Sequence, residues 1–131
     1  MKRIMCALVF VVWGCGSNQN AANQAGIGAQ CTMTSDCTTT GEVCLTEFAG
    51  GYCGLSGCLH DTACPQGSAC VTDNQTNYCF LVCAAKTDCN LHRSVANESD
   101  CTSALTFVDA TMNRKVCRPP NSGTPTDAGP G

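Results

Sequence analysis

The chain has 131 residues, of which 14 are cysteine, while only 5% are aromatic and 13% are charged. This length excludes the large enzyme folds, and so high a cysteine content in a short chain is typical of exported modules held together by disulfides. The formal net charge is −3 at pH 7, and a weakly acidic chain is not expected to bind nucleic acid. The composition therefore favours a small cross-linked scaffold.

Residues 1–14 have the pattern of an export signal. Two basic residues precede an apolar run of ten residues, 4–13, which is too short to span a bilayer. The run ends in Val12-Trp13-Gly14-Cys15, which resembles the bacterial lipobox. The resemblance implies cleavage before Cys15, a diacylglyceryl group on its thiol and an acylated amino terminus. The alternative is an ordinary secretory signal cleaved near Gly16, which would discard Cys15.

Polar segments flank the remaining cysteines on both sides. Residues 15–30 comprise the lipidated cysteine and a run rich in Asn, Gln, Ala, Ser and Gly, which predicts a flexible tether. Residues 118–131 hold four of the five prolines, which predicts a disordered tail. In bacterial lipoproteins the residue after the lipidated cysteine directs sorting. By resemblance, Gly16 rather than Asp at this position is compatible with delivery to an outer membrane.

The twelve cysteines after Cys15 form three groups of four, in residues 31–53, 58–79 and 83–117. Their internal gaps are 5, 6 and 8 residues, then 5, 5 and 8, and then 5, 11 and 15. Other residues recur in step with them. In the first two groups a glycine stands three residues before the third cysteine and a tyrosine directly precedes the fourth. This agreement predicts tandem repeats of about 25 residues, with an expanded third copy.

Disulfides are the expected state of these cysteines. The chain has no C-x-x-C pair and its two histidines are far apart, so neither a metal site nor another cofactor is expected. Pairing within repeats is expected, with three possible orders in each. The spacing suits pairing of the first with the third cysteine and of the second with the fourth, which gives Cys31–Cys44, Cys37–Cys53, Cys58–Cys70, Cys64–Cys79, Cys83–Cys101 and Cys89–Cys117.

The third and fourth cysteines of each repeat are expected to bracket a β-hairpin. The turn of the first hairpin is placed at residues 49–51 and that of the second at residues 73–76. In the third repeat, residues 105–108 could pair with residues 115–117, or residues 103–113 could form a short helix. The predicted fold class is a small disulfide-rich chain of three tandem four-Cys repeats with short β-hairpins and little helix, flanked by a disordered tether and tail.

No residue is predicted to be catalytic. The neighbours His60 and Asp61 fall on a short loop, and the chain contains no G-x-S-x-G or similar nucleophile motif, so a solvated surface pair is expected. Glu98 and Asp100 lack the spacing of a calcium loop and are expected to be solvated. The protein is therefore not expected to be an enzyme.

The lipobox, the polar tether and the repeats of the form C-x5-C-x5/6-C-x8-C together resemble the Cys-rich repeat lipoproteins of myxobacterial-type Gram-negative bacteria. That resemblance implies export and a lipid anchor in the outer membrane, on its periplasmic or cell-surface side. It implies no catalytic residue. The residues that carry the repeat part of the resemblance are Ser35-Asp36-Cys37 with Gly41, Thr62-Ala63-Cys64 with Gly67, and Thr87-Asp88-Cys89.

Two function classes follow from these features. The first is a non-enzymatic, membrane-tethered repeat lipoprotein that acts as an envelope or surface binding or structural module, with a protein or envelope partner that the sequence does not identify. The second is a small secreted or surface inhibitor, or a toxin-like effector, built on the disulfide scaffold. Its candidate binding segment is Phe80-Leu81-Val82, an apolar loop between Cys79 and Cys83. The alternative for this segment is an apolar contact between neighbouring repeats.

Overall fold

A computed structural model of the protein describes residues 26–110 and 113–121. Within these residues it confirms a small disulfide-rich fold with little helix and short antiparallel strand pairs. The export signal and Cys15 lie outside the described residues. The described elements are 3-10 helices at Thr34–Asp36, Asp61–Ala63 and Val95–Asn97, one short helix α1 (Lys86–Cys89), and the strands β1 (Val43–Cys44), β2 (Cys53–Gly54), β3 (Ser68–Asp73), β4 (Thr76–Leu81), β5 (Asp100–Thr102), β6 (Thr106–Phe107) and β7 (Val116–Arg118).

Six disulfides connect the cysteines in the same order in every repeat, the first to the third and the second to the fourth. This is the order that the spacing favoured among the three possibilities. Because the two bridges of a repeat cross, the loop before the second cysteine is fixed to the hairpin that follows. The bridges are Cys31–Cys44, Cys37–Cys53, Cys58–Cys70, Cys64–Cys79, Cys83–Cys101 and Cys89–Cys117.

The hairpin of the second repeat is the longest antiparallel pairing among the described residues. Strands β3 and β4 pair continuously from Ser68 opposite Leu81 to Asp73 opposite Thr76. The connecting residues Asn74 and Gln75 have φ values of 48° and 67°, which is the left-handed geometry of a two-residue hairpin loop. The predicted turn over residues 73–76 is therefore confirmed.

The hairpin of the first repeat is shorter than predicted and has a wider loop. Strand β1 ends at Cys44, which lies opposite Cys53 in β2. Residues 45–52 then fold over the Cys31–Cys44 bridge. Gly51 has a φ of 68°, and a Cβ atom at this position would lie 2.1 Å from the Cys31 carbonyl oxygen. Glycine is therefore required at Gly51 both for its backbone conformation and for close approach.

The strand pairing expected in the third repeat is wrong. Residues 115–117 do not pair with residues 105–108; instead β7 pairs with β5, with Cys117 opposite Cys101. Strand β6 lies against the second repeat, where Phe107 pairs with Val71 of β3. The described residues 103–110 form no helix. The long gap in this repeat thus supplies a third strand to the neighbouring sheet.

The three repeats share one hydrophobic core. The residue before the fourth cysteine is buried in every repeat: Tyr52 and Val116 are fully buried and Tyr78 is 7% exposed. Phe48 and Phe80 complete an aromatic cluster in which ring centroids lie 5.2 to 6.1 Å apart. Edge-to-face and stacked ring pairs stabilise the core beyond the contribution of their buried apolar area. The repeats are therefore joined by packing, since each disulfide stays within one repeat.

The fold begins earlier than the predicted boundary at residue 31. Ile27 is 3% exposed and belongs to the core. The Gly28 amide donates a hydrogen bond to the Cys53 carbonyl, and the Cys53 amide donates to the Ala29 carbonyl, both at 2.9 Å. The end of the predicted tether is therefore ordered, because it satisfies the free backbone groups of β2 and buries an apolar side chain.

The fold also ends later than predicted, inside the tail assigned to residues 118–131. Arg118 is the last residue of β7, and Pro119 is fully buried. The Pro120 carbonyl accepts a hydrogen bond of 2.7 Å from the Ala49 amide of the first repeat. The prediction of a disordered tail is therefore wrong for residues 118–121, and residues 122–131 lie outside the described part of the chain.

Candidate functional site

The cysteine sulfurs form a compact group in every repeat. In each, the sulfur atoms of three cysteines lie within 4.8 Å of one another, because the two crossing bridges run side by side. Cysteine binds metals as the thiolate. All of these sulfurs are bonded to another sulfur, so in the oxidised protein the groups are structural cross-links.

The segment Phe80-Leu81-Val82 is not the exposed loop that the inhibitor interpretation requires. Phe80 and Leu81 are the last two residues of β4, with 0% and 4% of their surface exposed. The Leu81 amide donates a hydrogen bond of 3.2 Å to the Tyr52 hydroxyl of the first repeat. The adjacent Val82 forms a bridge with Val116 of the third. The segment therefore packs between repeats, as its alternative interpretation proposed.

His60 and Asp61 are more than the solvated pair that was expected. His60 Nδ1 lies 2.9 Å from a carboxylate oxygen of Asp109, and the Asp61 amide donates to the other oxygen at 2.8 Å. The hydrogen bond with His60 has the largest effect on the pKa of Asp109, followed by that from the Asp61 amide, and both hold this pKa below its usual value. The Asp61 carboxylate accepts hydrogen bonds from the Cys70 amide and the Arg114 guanidinium. The pair thus fixes the second repeat to the third.

Glu98 and Asp100 lie at the surface and share one cation. Lys86 Nζ lies 3.0 Å from a carboxylate oxygen of Glu98 and 3.3 Å from one of Asp100. The hydrogen bond that Lys86 donates to Glu98, and then the one that it donates to Asp100, raises the pKa of Lys86. This ion cluster joins α1 to β5 within the third repeat, and exposed pairs of this kind contribute little to stability.

Arg93 is the buried cation of the structure and was not singled out from the sequence. Arg93 is 9% exposed within the described residues. Its guanidinium lies 5.9 Å from the centroid of the Tyr52 ring. Burial lowers the pKa of Arg93. An arginine inside an expanded gap carries no sequence signal for such a role. Its guanidinium donates hydrogen bonds to the carbonyl oxygens of Asn97, Gly51, Ala49 and Gly28, at 2.7, 2.8, 2.7 and 3.2 Å.

Glu42 is a buried acid in the first repeat. It is 4% exposed, and both carboxylate oxygens lack a hydrogen-bond partner within the described part of the chain. Burial raises the pKa of Glu42 from 4.5 to about 7. The nearby Tyr52 hydroxyl is fully buried, and its pKa is also raised, chiefly by burial. Neither group meets solvent, so this acid bears on stability rather than on ligand binding.

Two large apolar side chains project from the expanded gap of the third repeat. Leu91 is 65% exposed and Val95 is 86% exposed; together they are called the apolar tip. An open groove of about 390 Å³ lies beside the tip, lined by Lys86, Thr87, Asn90, Leu91 and Glu98. The tip is the most exposed apolar pair on any single loop of the described residues, and it is the feature best placed to contact another molecule.

Comparison with known proteins finds no matching family model, no similar curated protein and no similar solved structure. No helix within residues 26–110 and 113–121 has the length and hydropathy needed to cross a membrane.

Proposed function

We propose that the protein is a lipid-anchored envelope module that is held together by disulfides and acts by binding or scaffolding rather than by catalysis. The observation that carries this proposal is Val12-Trp13-Gly14-Cys15, a lipobox-like motif that directly follows a short apolar run and two basic residues. Acyl chains contribute about 0.8 kcal/mol for each buried methylene, so the several chains of a bacterial lipoprotein anchor it firmly.

The disulfide content supports the exported location. Six disulfides cross-link a chain whose shared core is small, and such bridges form and persist in oxidising compartments. The disulfides therefore favour an exported protein, and we propose further that it is anchored in the outer membrane, on the periplasmic or cell-surface side.

The polar clusters support a scaffold role. Asp61 and Arg93 each join two repeats through several hydrogen bonds. Asp73 accepts a two-pronged ion pair from Arg118, with both N–O distances at 2.9 Å. These side chains are committed to holding the repeats together. The inhibitor alternative would need a binding segment other than residues 80–82, because Phe80 and Leu81 are buried and Val82 bridges to the third repeat.

Metabolic labelling with a fatty acid in a lipoprotein-processing bacterial host tests the anchor. The full chain should incorporate label, and the Cys15→Ser variant should lose it completely. Cys6→Ser is the matched control, because Cys6 lies within the apolar run and precedes the cleavage point; this variant should label like the unaltered chain. An unlabelled parent chain, or a Cys15→Ser chain that keeps its label, would contradict the proposal.

A further inference from the structure

The apolar tip lies beside the point at which the chain enters the folded domain. The Gln30 amide donates a hydrogen bond of 3.1 Å to the His92 carbonyl. The Gln30 side-chain oxygen accepts hydrogen bonds of 3.0 Å from both the amide and the hydroxyl of Ser94. Leu91 also borders a small cleft that Ile27 and its two following residues line. The loop that carries the tip therefore lies against residues 27–30, which directly follow Gly26, the first described residue.

The loop that carries the tip is held rigidly from beneath. Arg93 points inward and ties the loop to the carbonyl oxygens of Ala49 and Gly51. The Asn97 side chain packs so closely on Gly50 that a Cβ atom there would lie 2.7 Å away. The loop thus presents two apolar side chains outward at little further cost in conformational entropy when they meet another surface.

The chain between Cys15 and Gly26 limits how far this side of the domain can move from an anchored Cys15. Ten residues separate the two positions, and a random-coil chain of that length has a root-mean-square end-to-end distance of about 17 Å. A domain of this size has a diameter of about 30 Å. Because this distance is shorter than the domain diameter, the side on which the chain enters lies nearest to the membrane on average.

We propose that the apolar tip inserts into the interfacial layer of the lipid bilayer that holds the acylated Cys15. This inference rests on the proposed function, since it requires the lipid anchor. It gives the domain a preferred orientation, with Leu91 and Val95 in the lipid.

The charges around the tip indicate that this contact is apolar rather than electrostatic. Lys86 is the exposed cation beside the groove, and it is paired with both Glu98 and Asp100. Attraction to anionic headgroups needs an excess of basic residues. Insertion of the tip is therefore not expected to be stronger in anionic bilayers than in zwitterionic ones.

Tryptophan quenching by brominated phospholipids tests this orientation. The sole tryptophan of the chain is Trp13, which cleavage before Cys15 removes, so a substituted tryptophan is the only one in the mature protein. Val95→Trp is the test variant, with Leu91→Trp as a second. Leu59→Trp is the matched control, because Leu59 is 72% exposed and belongs to the second repeat. Each full-length chain is lipidated in the host, purified and reconstituted into phosphatidylcholine vesicles.

The proposal predicts that V95W and L91W lose fluorescence intensity in brominated vesicles and emit at shorter wavelength than in detergent-free buffer, whereas L59W does neither. Lipidated chains in which V95W and L91W are quenched no more than L59W would overturn the orientation and leave the anchor intact. The mass of the same preparations reports the anchor independently: chains without acyl groups at Cys15 would overturn the proposed function, and the orientation with it.

Discussion

Glu42 offers a direct test of how the first repeat is packed. Its carboxylate is buried without a hydrogen-bond partner among the described residues, and burial raises the pKa of Glu42 from 4.5 to about 7. The folded protein therefore binds this proton more tightly than the unfolded chain does. As pH rises from 4.5 to about 7, folding loses stability, and above that range the loss is complete. At roughly 1.4 kcal/mol per pH unit, the loss amounts to about 3 kcal/mol.

The substitution Glu42→Gln keeps the size of the side chain and removes its titration. At pH 8 we expect the variant to be more stable than the parent by about 3 kcal/mol, and at pH 4 we expect the two to be equal. Guanidinium unfolding followed by circular dichroism, with the disulfides intact, measures the free energy of unfolding at each pH.

The control for this experiment is Glu47→Gln, the same change at an exposed position. Glu47 accepts a hydrogen bond of 3.0 Å from the Tyr78 hydroxyl, and the amide oxygen of glutamine can accept it as well. We expect this variant to be as stable as the parent at pH 8. If Glu42→Gln also follows the parent at pH 8, its carboxylate is solvated or paired, and the described packing of the first repeat is incorrect.

Three further predictions concern the joints between and within the repeats. The Asp73 side chain is 4% exposed, and Arg118→Met leaves its carboxylate without its charge partner. This substitution should lower the free energy of unfolding, measured by guanidinium titration, by about 2 kcal/mol. Ser99→Ala removes a buried hydroxyl that has no partner in the described structure and should be neutral or stabilising by up to about 1 kcal/mol, whereas Ser68→Ala breaks a hydrogen bond to the Pro65 carbonyl and should destabilise by about 1 kcal/mol. Reduction and alkylation should abolish the circular dichroism signal of the folded state near room temperature, because six bridges at about 3 kcal/mol each exceed the net stability of about 5–15 kcal/mol typical of a domain; a fold that survives reduction would show a larger core than the one described.

Local features of the fold follow from the sequence because their causes are local. Gly41 and Gly67 recur three residues before the third cysteine, and both adopt the left-handed backbone conformation, with φ values of 94° and 95°. Asp36 and Asp88 recur before the second cysteine, and each accepts hydrogen bonds from two amides at the start of its repeat. These bonds hold the pKa of both carboxyl groups below the usual value. A turn that recurs in two repeats therefore places the same residue type at the same position of both.

The contacts between repeats could not be predicted in the same way. Phe107 pairs with Val71 across more than thirty residues of chain, and nothing in the local pattern around Phe107 distinguishes this partner from the nearer β7. Arg93 lies in the expanded gap of the third repeat, where a surface position is the ordinary expectation for a charged residue. Its burial depends on three carbonyl oxygens of the first repeat and its preceding segment that converge only in the folded structure.

The predicted boundaries of the domain were wrong for a related reason. Ile27 and Pro119 stand in segments whose composition is polar or rich in proline, and composition averages over neighbours. Ile27 belongs to the hydrophobic core, and Pro119 is fully buried. A single apolar residue at the edge of a polar segment is too weak a signal to move a predicted boundary.

Intact mass spectrometry of the mature protein from host membranes tests the central claim most directly, because one measurement reports both the anchor and the cross-links. The account predicts a chain that begins at Cys15, is heavier by several acyl chains, and gains no mass from a thiol-alkylating reagent until its six disulfides are reduced. A chain that begins after Cys15 without acyl groups, or one that is alkylated before reduction, would contradict it.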